Sequence, residues 1–258
     1  AEFRSDLTLS SFSIVVLSPG VDPHQACFKN YQIQGGLLVG DIELFAWFNK
    51  TPLIGITGSN GKTTVTDMLG KVLSAAGMTV ELAGNYGKCA LDLLLEEGTR
   101  KTPLDAVVLE LSSYQLEMTS SLKLDYATVL NISEDHLDRH GSFEAYKEAK
   151  QRIFAMTKNI ISCRQEAASY PENGTVLQST SGQSRAKVCA EVSSSDDVHG
   201  YSIRPTNNVN DLGLNAAVQF NAEDVFLVSD LHLNGTHNYV NAMIVLAICD
   251  QLSLERAL

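Results

Sequence analysis

The chain of 258 residues contains no hydrophobic run approaching the roughly 18 residues that a membrane-spanning helix needs. Its opening, Ala1-Glu2-Phe3-Arg4-Ser5-Asp6, lacks the charge-then-apolar order of a secretory signal peptide. No C-x-x-C pair occurs, and the five cysteines (Cys27, Cys89, Cys163, Cys189 and Cys249) are odd in number and widely scattered. That pattern excludes a disulfide framework and a zinc site of the usual spacing. The thiols read as reduced, in a cytoplasmic setting. Basic residues are few beside acidic ones, 19 against 30, and the net charge of −11 would repel a phosphate backbone. Nucleic-acid binding is therefore not expected. What remains is the composition of an ordinary globular protein, 44% hydrophobic and 19% charged, long enough for one large or two modest domains.

Within that composition one segment carries the most chemistry. Gly58-Ser59-Asn60-Gly61-Lys62-Thr63-Thr64 follows the apolar run Leu53-Ile54-Gly55-Ile56 and precedes a helical pattern at Val65, Met68, Leu69, Val72 and Leu73. Strand, glycine-rich turn and helix in that order make a phosphate cradle (a P-loop). Glycines let backbone N–H groups curl around an anion, and the helix N-terminus adds partial positive charge. Lys62 is placed to reach outer phosphates and the Thr63 hydroxyl to sit on Mg²⁺. The pattern G-x-x-x-x-G-K-[ST] would put a glycine at position 56, which is Ile56 here, with Gly55 one residue earlier. The shorter core G-x-x-G-K-T is intact.

The surrounding rhythm alternates strand and helix. Strands are expected at 13–17, 37–39, 53–56, 80–82, 106–111, 126–130 and 159–162. Helices are expected at 24–34, from 40 onward, at 63–76 with a stop at Gly77, at 89–95, and at 142–156. The nearly all-apolar 106–111 suits a strand covered on both faces. Residues 164–211 are rich in Ser, Asn, Gln, Asp and Gly, with few apolar runs. Short antiparallel strands follow at 215–220, 224–228 and 231–233, with a turn at 221–223. A helix runs over 238–249, and Ser253 is placed to cap another. The fold class is α/β: a three-layer P-loop domain with a mostly parallel sheet and a small antiparallel edge layer, preceded by a partial Rossmann-like domain.

Further candidate residues lie at the carboxyl edge of that sheet, where open α/β folds bind ligands. Glu110 ends its strand there, placed to hold Mg²⁺ against phosphates. The segment Asn131-Ile132-Ser133-Glu134-Asp135-His136-Leu137-Asp138 gathers three acids and an imidazole over residues 134–138. It reads either as a solvated loop or as a source of one metal or substrate ligand, His136. Residue type alone gives Lys150 no role beyond a solvated helix surface, and His237, Asn238 and Asn241 read as an N-cap cluster.

Taken together, these segments resemble the Mur ligase family. Gly58 to Thr64, Gly84-Asn85, Glu110-Leu-Ser-Ser-Tyr-Gln-Leu-Glu117, Asn131 to Arg139, Tyr146-Lys-Glu-Ala-Lys150 and Gly235-Thr-His-Asn-Tyr-Val-Asn-Ala242 occur in family order. Ser18-Pro19-Gly20 and Gly40-Asp-Ile-Glu-Leu-Phe45 favour the member that adds D-glutamate to UDP-N-acetylmuramoyl-L-alanine. The resemblance implies that Gly58, Ser59, Asn60, Gly61, Lys62, Thr63 and Thr64 bind ATP, with Asn238 and Asn241 at the adenine side. It implies that Thr63 and Glu110 hold one Mg²⁺, and that His136 and a carbamylated Lys150 hold a second. Ser18, Asn85, Ser112 and His136 would face the muramoyl substrate. Lys62, Glu110, His136 and Lys150 form the implied catalytic set.

The implied organisation is a partial UDP-substrate-binding domain over 1–49 and the central ATP-binding domain over 50–258. An earlier uridine-binding strand and a C-terminal amino-acid-binding domain would lie outside these residues, leaving this piece alone inactive in ligation. The parent would be a monomeric cytoplasmic enzyme making peptidoglycan precursor through an acyl phosphate. Two alternatives stand beside it: a related ligase of the folylpolyglutamate synthase type, and a non-catalytic nucleotide-binding module.

Overall fold

The computed structural model describes residues 8–157, 159–163, 188–192, 200–204, 217–220, 223–227, 236–252 and 254. The chain opens with β1 (Ile14–Leu17), α1 (Ala26–Ile33), β2 (Leu37–Gly40) and α2 (Asp41–Phe48). β1 and β2 pair in parallel as a small sheet of their own. The main alternation follows: β3 (Leu53–Thr57), α3 (Lys62–Ala75), β4 (Val80–Gly84), α4 (Ala90–Glu97) and β5 (Ala106–Glu110). Next come α5 (Ser113–Glu117), β6 (Tyr126–Val129), α6 (Leu137–His140), α7 (Phe143–Gln151) and β7 (Ile160–Cys163). The later described strands are β8 (Val188–Val192), β9 (Gly200–Arg204), β10 (Ala217–Phe220) and β11 (Glu223–Leu227), before the long helix α8 (Thr236–Gln251).

The described strands β3 to β11 form one sheet in the order β11-β10-β9-β8-β7-β6-β3-β5-β4. Every pairing from β4 across to β9 is parallel, and β10 and β11 add on antiparallel. The antiparallel strands thus extend the same sheet in its plane. They do not form a layer beside it, because β10 hydrogen-bonds directly to β9.

Alternation along the central strands sorts their side chains onto two cores. Ile54, Ile56 and Val108 point to one face, where Leu69 and Leu73 of α3 and Met243, Ile244 and Ile248 of α8 close over them. Leu53, Val107 and Leu109 point to the other, against Ile42 and Phe45 of α2, Leu93 of α4, and Ile153. Both β3 and β5 are buried along their whole length, as strands covered on both faces must be. The result is three layers, helix, sheet and helix.

Several sequence expectations shift in detail. The single helix over 142–156 is α7 followed by a tighter 3-10 stretch, Arg152–Met156. Two short helices, α5 and α6, occupy segments to which the sequence reading gave no helix. β8 and β9 lie within the polar stretch 164–211. The strand expected at 231–233 and the helix after Ser253 lie outside the described residues. Among the described residues no helix is long and apolar enough to cross a membrane.

Candidate active site

Strand order sets the site. β3 lies between β5 and β6, and β4 flanks β5, so the loops after these four strands meet at one carboxyl edge. The register places Glu110 level with Ile56 on one side and Gly84 on the other. The P-loop therefore leaves β3 beside Glu110.

Gly61 caps α3 with φ of 82°, a left-handed conformation that glycine takes without strain. A Cβ there would sit 3.1 Å from the Asn241 amide, so α8 packs directly behind the cradle. No side chain caps α3. Its first N–H groups have no intrahelical partner and stand ready for an anion. Lys62 folds back over the loop, its amine donating to the carbonyl oxygens of Gly58 at 2.8 Å and Ser59 at 3.0 Å.

Glu110 is 1% exposed, and both its oxygens are held. The Thr63 hydroxyl donates to Oε2 at 2.9 Å and the Asn85 amide to Oε1 at 2.7 Å. The Gly84-Asn85 turn makes this possible: Gly84 has φ of 98°, and a Cβ on it would run into the Glu110 carbonyl. The Asn85 N–H donates to that same carbonyl at 2.8 Å. A buried carboxylate facing a threonine hydroxyl is a hard oxygen pair of the kind that suits Mg²⁺.

Lys150 departs from the solvated-surface reading. It is 1% exposed, and its amine donates to the Gly58 carbonyl at 2.9 Å while lying 4.7 Å from the centre of the Tyr146 ring. Burial pushes its pKa down to about 7, and the charge of Lys62 pushes the same way against Asp135 and Glu110. Burial also lowers Lys62, with Glu110 and Asp135 opposing. The Tyr146 hydroxyl bonds Ser59 Oγ at 2.9 Å, tying α7 to the P-loop. Burial raises the pKa of this phenol.

His136 begins α6 in a left-handed conformation, φ of 52°. Its ring lies between Tyr114, 5.1 Å away, and Tyr146, 6.2 Å away, and its side chain is 47% exposed. His136 and Lys150 thus border the same tyrosine from the mouth and from the interior. As an amine Lys150 does not fit a cation site; as a carbamate it would. Among the described residues no three His, Cys, Asp or Glu side chains gather around one point. Any Mg²⁺ here must draw oxygens from hydroxyl, phosphate or carbamate as well.

Of the remaining expected residues, Ser112 and Ser18 fall at the rim. Ser112 caps α5, its hydroxyl accepting from the Gln115 N–H at 3.2 Å while the Gln115 side chain accepts from the Ser112 N–H at 3.1 Å. Ser18 is exposed on the turn after β1, where its carbonyl accepts from the Val21 N–H. That turn docks near His136: Arg139 of α6 pairs with Asp22 at 2.8 Å and Glu117 at 3.2 Å, and His24 meets Glu117 at 2.7 Å. Asn241 is buried against Gly61, and Asn238 lies one turn earlier on α8.

Two contributors were named from sequence without a role in the site: Tyr146, which bonds Ser59, and Asn131, which grips the loop after β3. The signal for Asn131 was its place as the first polar residue beyond β6, beside the P-loop strand. A surface cavity of about 500 Å³ lined by Asp67, Lys71, Glu81 and Lys88 lies between α3 and β4 and involves none of these residues.

Residues 56–249 match the family model of the Mur ligase middle domain. The chain belongs to the Mur ligase family. A UDP-N-acetylmuramoylalanine–D-glutamate ligase of Pseudomonas syringae pv. tomato is 41% identical over 233 residues, covering 90% of this chain and 47% of that protein. The ligase of that name from Saccharophagus degradans is 38% identical over 249 residues, covering 96% and 50%. The chain spans about half the length of these curated Mur ligase relatives. Among solved structures, a UDP-N-acetylmuramoyl-L-alanyl-D-glutamate–2,6-diaminopimelate ligase superposes with TM-score 0.64 at 20% identity, covering 94% of this chain and 57% of that one. MurF ligase from Thermotoga maritima in complex with ADP gives 0.55 at 16%, covering 97% and 65%. At such identities the Mur ligase structures establish the shared fold.

Proposed function

We propose that this chain is the ATP-activating part of a ligase that joins D-glutamate to UDP-N-acetylmuramoyl-L-alanine, in the cytoplasm, for peptidoglycan precursor synthesis. The observation that carries the reading is the meeting of Lys62, Thr63, Asn85 and Glu110 at one sheet edge, on a chain about 40% identical to ligases of that name. Residues 50–258 are assigned to the ATP-binding domain and 1–49 to part of the UDP-substrate domain.

ATP would supply the phosphoryl group that activates the substrate carboxylate for displacement by an amine. The protein's share is positioning and charge neutralisation. Lys62 leaves its two loop carbonyls to meet outer phosphates. Thr63 and Glu110 would offer oxygens to one Mg²⁺, and an imidazole nitrogen of His136 with the oxygens of a carbamylated Lys150 would hold a second. Asn85, Ser112 and Ser18 line the approach of the muramoyl substrate, and Asn238 and Asn241 that of adenine.

The test is thermal. Mg·ATP should raise the melting temperature of the chain, and Lys62→Ala should abolish that rise while leaving the apo melting temperature nearly unchanged. Equal stabilisation of both proteins would overturn the assignment. UDP-N-acetylmuramoyl-L-alanine should stabilise the chain further, where a pteroylglutamate should not.

A further inference from the structure

Asn131, the second residue beyond β6, holds the P-loop at three points. The Asn131 carbonyl accepts from the Ser59 N–H at 2.9 Å. Its side-chain Oδ1 accepts from the Asn60 N–H at 2.8 Å, and its Nδ2 donates to the Asn60 carbonyl at 3.0 Å. A single side chain thus satisfies both backbone groups of one loop residue. Gly58 backs onto the same position: a Cβ there would lie 3.4 Å from the Asn131 nitrogen and oxygen.

We infer that Asn131 is a positioning residue of the phosphate cradle, fixing which N–H groups of the loop face the ligand. The inference rests on the proposed binding of Mg·ATP. Two N–H groups, those of Ser59 and Asn60, are consumed by Asn131 and face away from any phosphate. The donors left for the ligand are the Gly61 N–H and those of the uncapped first turn of α3, from Lys62 onward. Serine caps occupy first-turn N–H groups in α5 and α7, through Ser112 and Ser142, while α3, like α1, α2, α4 and α6, carries no side-chain cap.

The need for such a clamp follows from composition. A loop bounded by Gly58 and Gly61 has wide conformational freedom, and ordering it on binding would weaken affinity. The Asn131 amide orders it beforehand. An amide is suited to the task because it offers one acceptor and two donors without charge. A carboxylate there would place a negative charge beside the cradle and set an oxygen against the Asn60 carbonyl.

The experiment compares wild type with Asn131→Ala and Asn131→Asp at a temperature well below melting. Amide hydrogen exchange at Ser59 and Asn60 is read without ligand, and dissociation constants are read for Mg·ATP, Mg·ADP and adenosine. The expected result is fast exchange at Asn60 in Asn131→Ala, with Mg·ATP and Mg·ADP weakened tenfold or more and adenosine within twofold of wild type. Asn131→Asp, which keeps Oδ1, should retain partial protection at Asn60 and still lose phosphate affinity. Unchanged phosphate affinity in both variants, or an equal loss for adenosine, would overturn the inference. Unchanged protection at Asn60 in Asn131→Ala would overturn it as well. Failure of wild type to bind Mg·ATP would instead sink the proposed function, with the exchange data still deciding whether the clamp exists. Should Asn131→Ala not fold, the Asn131→Asp arm decides the affinity question.

Discussion

Lys62 and Lys150 share one acceptor: both amines donate to the carbonyl oxygen of Gly58, at 2.8 Å and 2.9 Å. Two cationic groups converge on one partial negative charge, and the buried one gives way. The Lys150 amine is pushed down from 10.5 to about 7 by burial and by Lys62. For a cation whose folded pKa is depressed, the unfolded chain binds more protons between the two values. Stability therefore rises with pH from about 7 toward 10.5, by up to about 1.4 kcal/mol per pH unit. Lys150→Met should flatten this rise in urea unfolding between pH 6.5 and 9.5. Parallel curves for the two proteins would refute the depressed amine.

An amine that is neutral near pH 7 can attack carbon dioxide, and the product carbamate is an anion. It would relieve the repulsion with Lys62 and present oxygens toward the His136 side of Tyr146. With ¹³C-bicarbonate and Mg·ATP, a protein-bound carbamate carbon signal is expected, absent in Lys150→Ala. A short carboxylic acid should partly restore phosphoryl-transfer activity to that variant in the parent ligase. A bare amine under saturating bicarbonate would count against the proposal.

How far the sequence disclosed this arrangement varied with how local each feature was. The P-loop, the stop at Gly77 and the buried strands β3 and β5 rest on neighbours in the chain, and they were readable. The short helix α5 carried a local signal in the Ser112 and Gln115 capping box, but its five residues gave no periodicity and it was not read. β8 and β9 sit in polar surroundings that gave no periodic signal. Lys150 was opaque for a different reason. Helical spacing places Tyr146 and Lys150 on one face, yet only the packing of α7 beneath the P-loop decides that this face is dry. Asn131 required the strand order, which brings β6 beside β3.

The Glu110 carboxylate accepts from Thr63 and Asn85 at once. Glu110→Gln would set an amide N–H₂ against one of these donors and remove the charge that a cation needs. Mg·ATP should bind at least tenfold more weakly, while ATP in EDTA binds the two proteins alike. Calorimetric titration with and without Mg²⁺ reads this directly. An unaltered Mg²⁺ dependence would remove Glu110 from the metal site.

The N-terminal segment is tied to the central sheet by a buried carboxylate. Glu43 of α2 is 6% exposed; its Oε2 accepts from the N–H groups of Ser120 and Ser121 at 2.7 Å and 3.0 Å. Its Oε1 accepts from Trp47 at 3.1 Å and from the Ser120 hydroxyl at 3.3 Å. Burial alone would raise its pKa, but the backbone donors of Ser120 and Ser121, with side-chain donors, outweigh it and leave it below 4.5. For a carboxylate held low in the folded state, the stabilisation is present above 4.5 and is lost as pH falls through the folded value. Glu43→Gln keeps the shape but turns an N–H₂ toward backbone donors, at a cost of roughly 1–3 kcal/mol. The stability gap between wild type and Glu43→Gln, measured by urea unfolding, should be full at pH 7 and narrow progressively below 4.5. Protonation of Glu43 then removes from wild type what the substitution has already removed from the variant. A gap that stays constant through this range would show that Glu43 acts through shape alone and not as a charged acceptor.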